Sequence, residues 1–513
     1  MDLLDHRACY RAIETRDPRF DGRLFVGVTS TGIYCRPICP ARTPKFENCR
    51  FFASAAAAQG AGFRPCLRCR PETAPDLASW RGTSNTVSRA LALIAEGALD
   101  ANGSDDGESG VEDLAARLGM GGRQLRRLFQ QHLGATPIAV TQTRRVLFAK
   151  QLIQETRMPM AEVAMASGFG SIRRFNETFQ GLYRRPPGAL RRKAAAGKAD
   201  TAPAETGVTL RLSYRPPYDW DAMLAHLAAR AIPGVELVEG GVYRRTVALD
   251  GSVGAIEVAP VPGRHSLGVT IRFPAVRALP AIVAAVRRVF DVGADIETIG
   301  AHLARDPHMA PLIARRPGLR APGGWDGFEL AVRAILGQQV TVIQARKLAG
   351  VLVQQYGDAI PTGSSGHAAL TLTFPSPARV ASCDLAALGM PGARRQAIIA
   401  LARAAAADPR LFHPFGTIEE AIGRLRAIPG IGEWTAQYIA LRALRETDAF
   451  PASDVGLLRG AARIDGQRPT PAGLLDRAET WRPWRAYAAQ HLWAADAAAA
   501  PNAGLAPRGM ADD

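Results

Sequence analysis

Ile428-Pro429-Gly430-Ile431-Gly432-Glu433-Trp434-Thr435-Ala436-Gln437-Tyr438 decides how the C-terminal half of this 513-residue chain is read. Its two glycines permit a tight turn between helices, and the helix that follows starts with backbone N–H groups aimed at an anion such as a phosphate. Twenty residues past Trp434 comes Phe450-Pro-Ala-Ser-Asp454-Val-Gly-Leu-Leu-Arg459, which places a carboxylate at a plausible helix start. There Asp454 can serve as an N-cap, a role compatible with chemistry. Upstream lies Arg333-Ala-Ile-Leu-Gly337-Gln338-Gln339-Val-Thr341, and downstream come Trp481, Trp484, Tyr487, His491 and Trp493. Trp481 and Trp484 read as packing residues, and His491 fits a core as easily as a site.

A helix-hairpin-helix taken alone means sequence-independent DNA binding, and it could belong to a polymerase or a ligase. The surrounding chain narrows this. From Val208 the sequence alternates as a strand, turns helical near 219–230, gives strands near 242–249, 255–258 and 266–273, and then a helix near 275–290. From about 291 to 493 it reads as nearly all helix. Residues 208–493 together resemble the AlkA-type glycosylases of the helix-hairpin-helix superfamily. The resemblance implies that Asp454 is catalytic, that Trp434, Tyr438 and Trp493 form an aromatic base pocket, and that Gln339 wedges into the emptied base stack. Gly430 and Gly432 would grip the DNA backbone, with a monovalent cation at the hairpin. Lyase-competent relatives carry a Schiff-base lysine where this chain has Trp434, so the expected chemistry is monofunctional hydrolysis. No cysteine follows Cys383, which excludes the four-cysteine iron–sulfur pattern of some relatives.

At the other end, Cys35-x3-Cys39 and Cys66-x2-Cys69 pair four of the seven cysteines at metal-ligand spacing. Four thiolates around one Zn2+ make a closed site that can organise a small loop-rich domain, and a plain structural zinc ribbon would look the same. Cys9, Cys49 and Cys383 stand alone and read as small buried hydrophobes. The flanks Phe25-Val-Gly-Val-Thr-Ser-Thr-Gly-Ile-Tyr-Cys35-Arg-Pro-Ile-Cys39-Pro-Ala-Arg42 and Ala61-Gly-Phe-Arg64-Pro-Cys66-Leu-Arg-Cys69-Arg-Pro71 resemble the Ada-type methyl-phosphotriester sensor. That resemblance makes Cys35 the methyl acceptor and Cys39, Cys66 and Cys69 structural ligands. Arg36, Arg42, Lys45, Arg64, Arg68 and Arg70 are the natural phosphate partners.

Between these ends lie two helix-turn-helix patterns about fifty residues apart, Val111–Phe129 and Met160–Phe179. With Ala-Ser-Gly168-Phe-Gly-Ser171 followed by Ile-Arg-Arg-Phe, they resemble an AraC-type DNA-binding domain. Leu114, Leu118, Leu125, Leu128 and Phe129 are core positions. Gln124, Arg126, Arg127, Arg173, Arg174 and Asn176 are the candidates for phosphate and base-edge contacts. Ser171 is placed as an N-cap, whereas Gly121-Gly122 leaves the first recognition helix without one.

The expected organisation is multidomain and mainly α. A small zinc-bound α/β module spans 1–80, a double helix-turn-helix 83–193, and a linker 194–207. An α+β subdomain follows at 208–290, then an all-α glycosylase domain at 291–495 and a disordered tail at 496–513. The stretch 97–110 reads as a loop, and the tether suggests independent domains. A net charge of +16, from 63 Lys and Arg against 47 Asp and Glu, suits a polyanion partner, although a basic bias of composition would give the same number. No apolar run is long enough to cross a bilayer and the N-terminus lacks a signal peptide, which places the chain in the cytoplasm at the nucleoid with no membrane partner. The resemblances imply alkylated and promoter double-stranded DNA as ligands and RNA polymerase as a partner. No Pro-Cys-His-Arg motif occurs, so repair of O6-alkylguanine is not expected. The rival readings are a regulator whose glycosylase half only senses lesions, and a repair enzyme whose zinc module only localises it.

Overall fold

The computed structural model describes residues 5–74, 85–100, 107–191, 207–361, 363–413 and 417–498. The expected linker up to residue 206, and the expected tail from residue 499, lie outside the described residues. Residues 496–498 do not belong to a tail. They close the helix Arg485–Ala498, where Asp496 pairs with Arg459 at 2.6 Å.

In the N-terminal module, strands β1 (Phe25–Val28), β2 (Ile33–Cys35), β3 (Cys49–Phe52) and β4 (Arg64–Pro65) form a sheet in the order β3-β1-β2-β4. The β2–β4 pair is parallel and the others antiparallel. A helix at His6–Glu14, capped by Asp5, lays Cys9, Ala12 and Ile13 on Leu24 and Val26. Cys9 is a buried hydrophobe as expected, but Cys49 and Cys383 are only half-buried, each sulfur against a backbone carbonyl.

Six helices follow among the described residues of 85–183. The longest, Pro137–Glu155, joins the two helix-turn-helix units, and its N-cap Thr136 and Pro at the first turn explain where it starts. The expected loop at 97–110 is helical from Gly107. Asp100 is fixed as well, because Arg144 and Arg145 both pair with its carboxylate.

Strands β5 (Val208–Ser213), β6 (Glu236–Glu239), β7 (Val242–Leu249), β8 (Ser252–Pro260) and β9 (Ser266–Arg272) form an antiparallel sheet ordered β5-β9-β8-β7-β6. Two-residue turns set its register. Gly240-Gly241 joins β6 to β7 and Asp250-Gly251 joins β7 to β8, with all four residues at positive φ. That backbone matches the strand twist, which is why such dipeptides make hairpins. The inward residues Leu210, Leu212, Tyr243, Val247, Ile256, Val258, Val269 and Ile271 pack with Ile282 and Val286 of the helix Leu279–Val289.

The remaining helices share one core that includes Phe328, Ile335, Leu352, Leu401, Ile439, Leu457, Trp481 and Tyr487. Trp481 is fully buried, as a packing residue should be. Close helix contact sets the site geometry. A Cβ on Gly460 would lie 2.1 Å from the carbonyl oxygen of Leu492, so only glycine lets Val455–Asp465 approach Arg485–Ala498 this closely.

Candidate active site and nucleic-acid interfaces

Asp454 is the N-cap of the helix Val455–Asp465, and its Oδ1 accepts from the backbone N–H of Leu457 at 3.0 Å. Cap and carboxylate placement therefore come from one side chain. Trp493 Nε1 donates to Oδ1 and Trp434 Nε1 to Oδ2, each at 2.8 Å. Three donors converge on this carboxylate, an arrangement that fixes its orientation. Trp434 and Tyr438 lie on adjacent turns of the helix Glu433–Arg442 and stack at 5.5 Å, and the Tyr438 ring meets Trp493 edge-on at 6.1 Å. These groups line a cleft of about 1220 Å3 whose rim includes Gln339.

The hairpin is built as the sequence demands. Gly430 holds φ +86°, and a Cβ there would sit 2.3 Å from that of Ala397. Gly432 starts the next helix without a side-chain cap, so the helix start can meet a phosphate. Gln338 donates its amide to the Gly430 carbonyl and to Thr435 Oγ1 at 3.3 and 3.0 Å. Gln339, the next residue, is exposed with φ +57°.

Arg442 is a cleft residue that the sequence reading missed. It lies four residues beyond Tyr438 on one helix face, a spacing that could have revealed it. Its guanidinium sits 4.9 Å from the Trp493 ring centroid and 5.8 Å from that of Tyr438. Bonds to the Pro322 carbonyl and to Gln490 anchor it. Burial pulls Arg442 down to about 10, which leaves it charged at neutral pH.

In the zinc module the sulfurs of Cys35, Cys39, Cys66 and Cys69 all lie within 4.8 Å of one another. Tetrahedral sulfurs at 2.3 Å from Zn2+ would be about 3.8 Å apart, so the donor set fits that ion. Backbone N–H groups of Arg36 and Arg68 point at the sulfurs of Cys69 and Cys66 at 3.4 and 3.3 Å. Cys66 and Cys69 are buried while Cys35 and Cys39 are half-exposed, which restricts chemistry with an outside group to the latter two. Arg42, Lys45 and Arg68 are exposed and Arg64 half-buried. Two expected phosphate partners are spent inside the protein. Arg36 is buried against Asp21, and Arg70 pairs with Glu72 and Glu155.

In the second helix-turn-helix, Ser171 caps Ile172–Tyr183 by accepting from the Arg174 N–H at 3.1 Å. Phe175, Phe179 and Tyr183 face the core, while Arg173, Arg174 and Asn176 are exposed. In the first unit the missing cap is replaced. Glu112 from the preceding helix accepts from the Gly122 N–H at 3.0 Å and pairs with Arg126 at 3.1 Å. The helix Gly122–Leu133 is thus held better than its own sequence suggests. Gln124 and Arg127 stay exposed, whereas Arg126 is half-buried in that pair.

A carboxylate in an aromatic cleft behind a helix-hairpin-helix, joined to a four-thiolate module and two helix-turn-helix units, defines a base-excision enzyme fused to a DNA-binding regulator. Family profiles match each part: "Metal binding domain of Ada" over residues 8–72 and "Helix-turn-helix domain" over 114–193. "AlkA N-terminal domain" matches residues 209–326, and "HhH-GPD superfamily base excision DNA repair protein" matches 332–486. The chain is 44% identical to a Mycobacterium tuberculosis protein named "Probable bifunctional transcriptional activator/DNA repair enzyme AlkA", over 95% of this chain and 96% of that one. It is 38% identical to DNA-3-methyladenine glycosylase 2 of Escherichia coli, over 55% of this chain and 95% of the relative. A 3-methyladenine DNA-glycosylase structure from Archaeoglobus fulgidus shares the fold, at a TM-score of 0.51 and 22% identity, covering 57% of this chain and 99% of that one. The chain belongs to the family of bifunctional AlkA-type transcriptional activator/DNA repair enzymes. No helix among the described residues is long and apolar enough to cross a membrane.

Proposed function

We propose that the glycosylase half hydrolyses the N-glycosidic bond of alkylated bases such as 3-methyladenine, with Asp454 as its catalytic carboxylate. The observation that carries this reading is the Asp454 carboxylate fixed by two indole N–H groups at an aromatic cleft. An alkylated purine is cationic, so it departs with the electron pair of the C1′–N bond and needs no general acid. The carboxylate stabilises the oxocarbenium-like sugar and orients the water whose oxygen then bonds C1′, the water's proton passing to the carboxylate and on to solvent. Trp434, Tyr438 and Trp493 favour a flipped cationic base by stacking and cation–π attraction, and Gln339 fills the vacated stack. Gly430 and Gly432 hold the backbone phosphate.

In the regulator half, Cys35 attacks the methyl carbon of a DNA phosphotriester. An S–CH3 bond forms, the O–CH3 bond breaks, and the phosphodiester leaves with the electron pair. Cys35, Cys39, Cys66 and Cys69 would hold Zn2+, which would keep the sulfurs as thiolates at neutral pH. Methylation removes one negative charge from the module, so nearby phosphates are repelled less. Arg42 and Arg64 then face the backbone, and Gln124, Arg126, Arg127, Arg173, Arg174 and Asn176 read the promoter. A monovalent cation at the hairpin, contact with RNA polymerase, residence at the nucleoid and the unit boundaries given above, with the last helix running to Ala498, complete the reading. The cation and the polymerase contact rest on the resemblance of the motifs, and the localisation and boundaries on the composition and patterning of the sequence.

The test incubates the full chain with methylated duplex DNA. Expected results are release of free 3-methyladenine and one added methyl group on Cys35 by peptide mass spectrometry. A folded protein that releases no base overturns the enzymatic reading, and a methyl group on Cys39 overturns the acceptor assignment.

A further inference from the structure

The tether between the halves suggests units that move independently, yet charges from both halves are buried against each other. Arg89, on the helix Asn85–Ala95 that precedes the first helix-turn-helix, pairs with Glu446 of the glycosylase domain at 2.7 Å, with side chains only 8% and 6% exposed. Asp295, 1% exposed, accepts Arg23 from the zinc module and Arg215 from its own half, and Arg215 also donates to the Pro18 carbonyl. Glu96 pairs with Arg288 at 2.7 Å. On the long helix Pro137–Glu155, Gln151 donates to the Arg211 carbonyl and Glu155 accepts the Arg211 N–H, at 2.9 and 3.0 Å. One buried apolar cluster runs without a break from Val146, Leu152 and Phe175 to Leu210, Val258 and Ile282.

A charge buried without its partner costs several kcal/mol, so these pairs make sense only if the contact persists. The exposed residues assigned to DNA are a separate set. Arg42, Gln124, Arg127, Arg173 and Asn176 are exposed and take no part in these pairs. The contact therefore uses up none of those exposed candidates.

We propose that the glycosylase half carries a docking surface, formed by strand β5, Asp295 and Glu446, whose occupant is the regulator half (residues 5–191) of the same chain. The halves stay bound through this surface when the tether is cut. A covalent link between two halves supplies an effective concentration of about a millimolar, so a weak touch would persist only while the link is intact. A built interface outlasts it.

The experiment inserts a protease site between Asp200 and Thr201, cuts the folded full-length protein, and applies it at about 10 μM to a sizing column. Co-elution of the two pieces is expected. Arg89→Glu should release them, and Arg89→Glu with Glu446→Arg should restore co-elution. Thermal unfolding of the uncut chain is the second measurement: one transition in the wild type and two in Arg89→Glu. Separate peaks of folded pieces from the wild type overturn the proposal. A peak of paired glycosylase pieces does so too, by assigning the surface to a second copy.

Discussion

Replacing Asp454 by Asn tests the active-site reading most severely, because the structure fixes what the change removes. Both carboxylate oxygens accept: Oδ1 from Trp493 and the Leu457 N–H, Oδ2 from Trp434. An asparagine offers one acceptor. Turned to keep the cap and Trp493, its NH2 group meets the Trp434 N–H as donor against donor. Loss of that one indole bond costs about 1–2 kcal/mol of stability, a fall in Tm of about 2–6 °C. The loss in rate is larger. A full charge about 4 Å from a developing cation, at an effective dielectric constant of about 20, contributes about 4 kcal/mol, or close to a thousandfold. Single-turnover release of 3-methyladenine should therefore slow about a thousandfold, while affinity for abasic-site DNA changes little. Retention of activity within about tenfold, in a variant that melts as a folded protein, would refute the electrostatic role.

Gly430→Ala should cost about 2–4 kcal/mol, from a positive φ and a Cβ 2.3 Å from that of Ala397, and unmodified duplex binding should weaken with it. Equal melting temperature and DNA affinity in this variant would show that the hairpin relaxes freely. Lys150, fully buried, donates to Glu72 and to the Cys66 carbonyl, so Lys150→Met should destabilise the regulator half by about 3 kcal/mol and speed zinc loss to a chelator. Adding Glu72→Gln should recover part of that stability; no recovery would mean the charge pair is not the cause. Burial pushes His491 down to about 4 from 6.5, so the unfolded chain takes up a proton that the folded one refuses. Stability from this residue is full above about pH 6.5 and falls as pH drops towards 4, by about 2 kcal/mol between pH 7 and 5. Denaturant titrations should show a shallower acid slope in His491→Phe, and identical slopes would count against the neutral buried ring.

The sequence was most readable where few residue types satisfy the position. Gly430, the four cysteines and the Ser171 cap each satisfy a local constraint, and the structure places them accordingly. The pattern of strands was less readable, because β6 is four residues long and shows no sustained alternation. Its true signal was the Gly240-Gly241 pair, which permits a hairpin turn that few other dipeptides allow. Partnerships across long separations were not readable at all. Glu112 capping Gly122, Arg442 beneath the cleft rings, and Arg36 committed to Asp21 depend on where the chain folds back, which no local spacing encodes. The same reason explains why Arg36 looked like a phosphate ligand: an arginine beside a metal-binding cysteine has the same sequence context whether it faces outward or inward.

Gln338 has a wider consequence through its bonds to Gly430 and Thr435. The turn that would clasp the strand from outside and the finger that would probe between its bases, Gln339, are mechanically one part. If Gln339 probes as proposed, probing would need no separate signal, because the finger would already be in position each time the protein settles on a duplex. Such an arrangement suits a searcher that must interrogate many sound bases quickly, and it links the lengths of two loops almost a hundred residues apart. An insertion in either loop would put grip and probe out of step, so natural length changes in one should be matched by changes in the other.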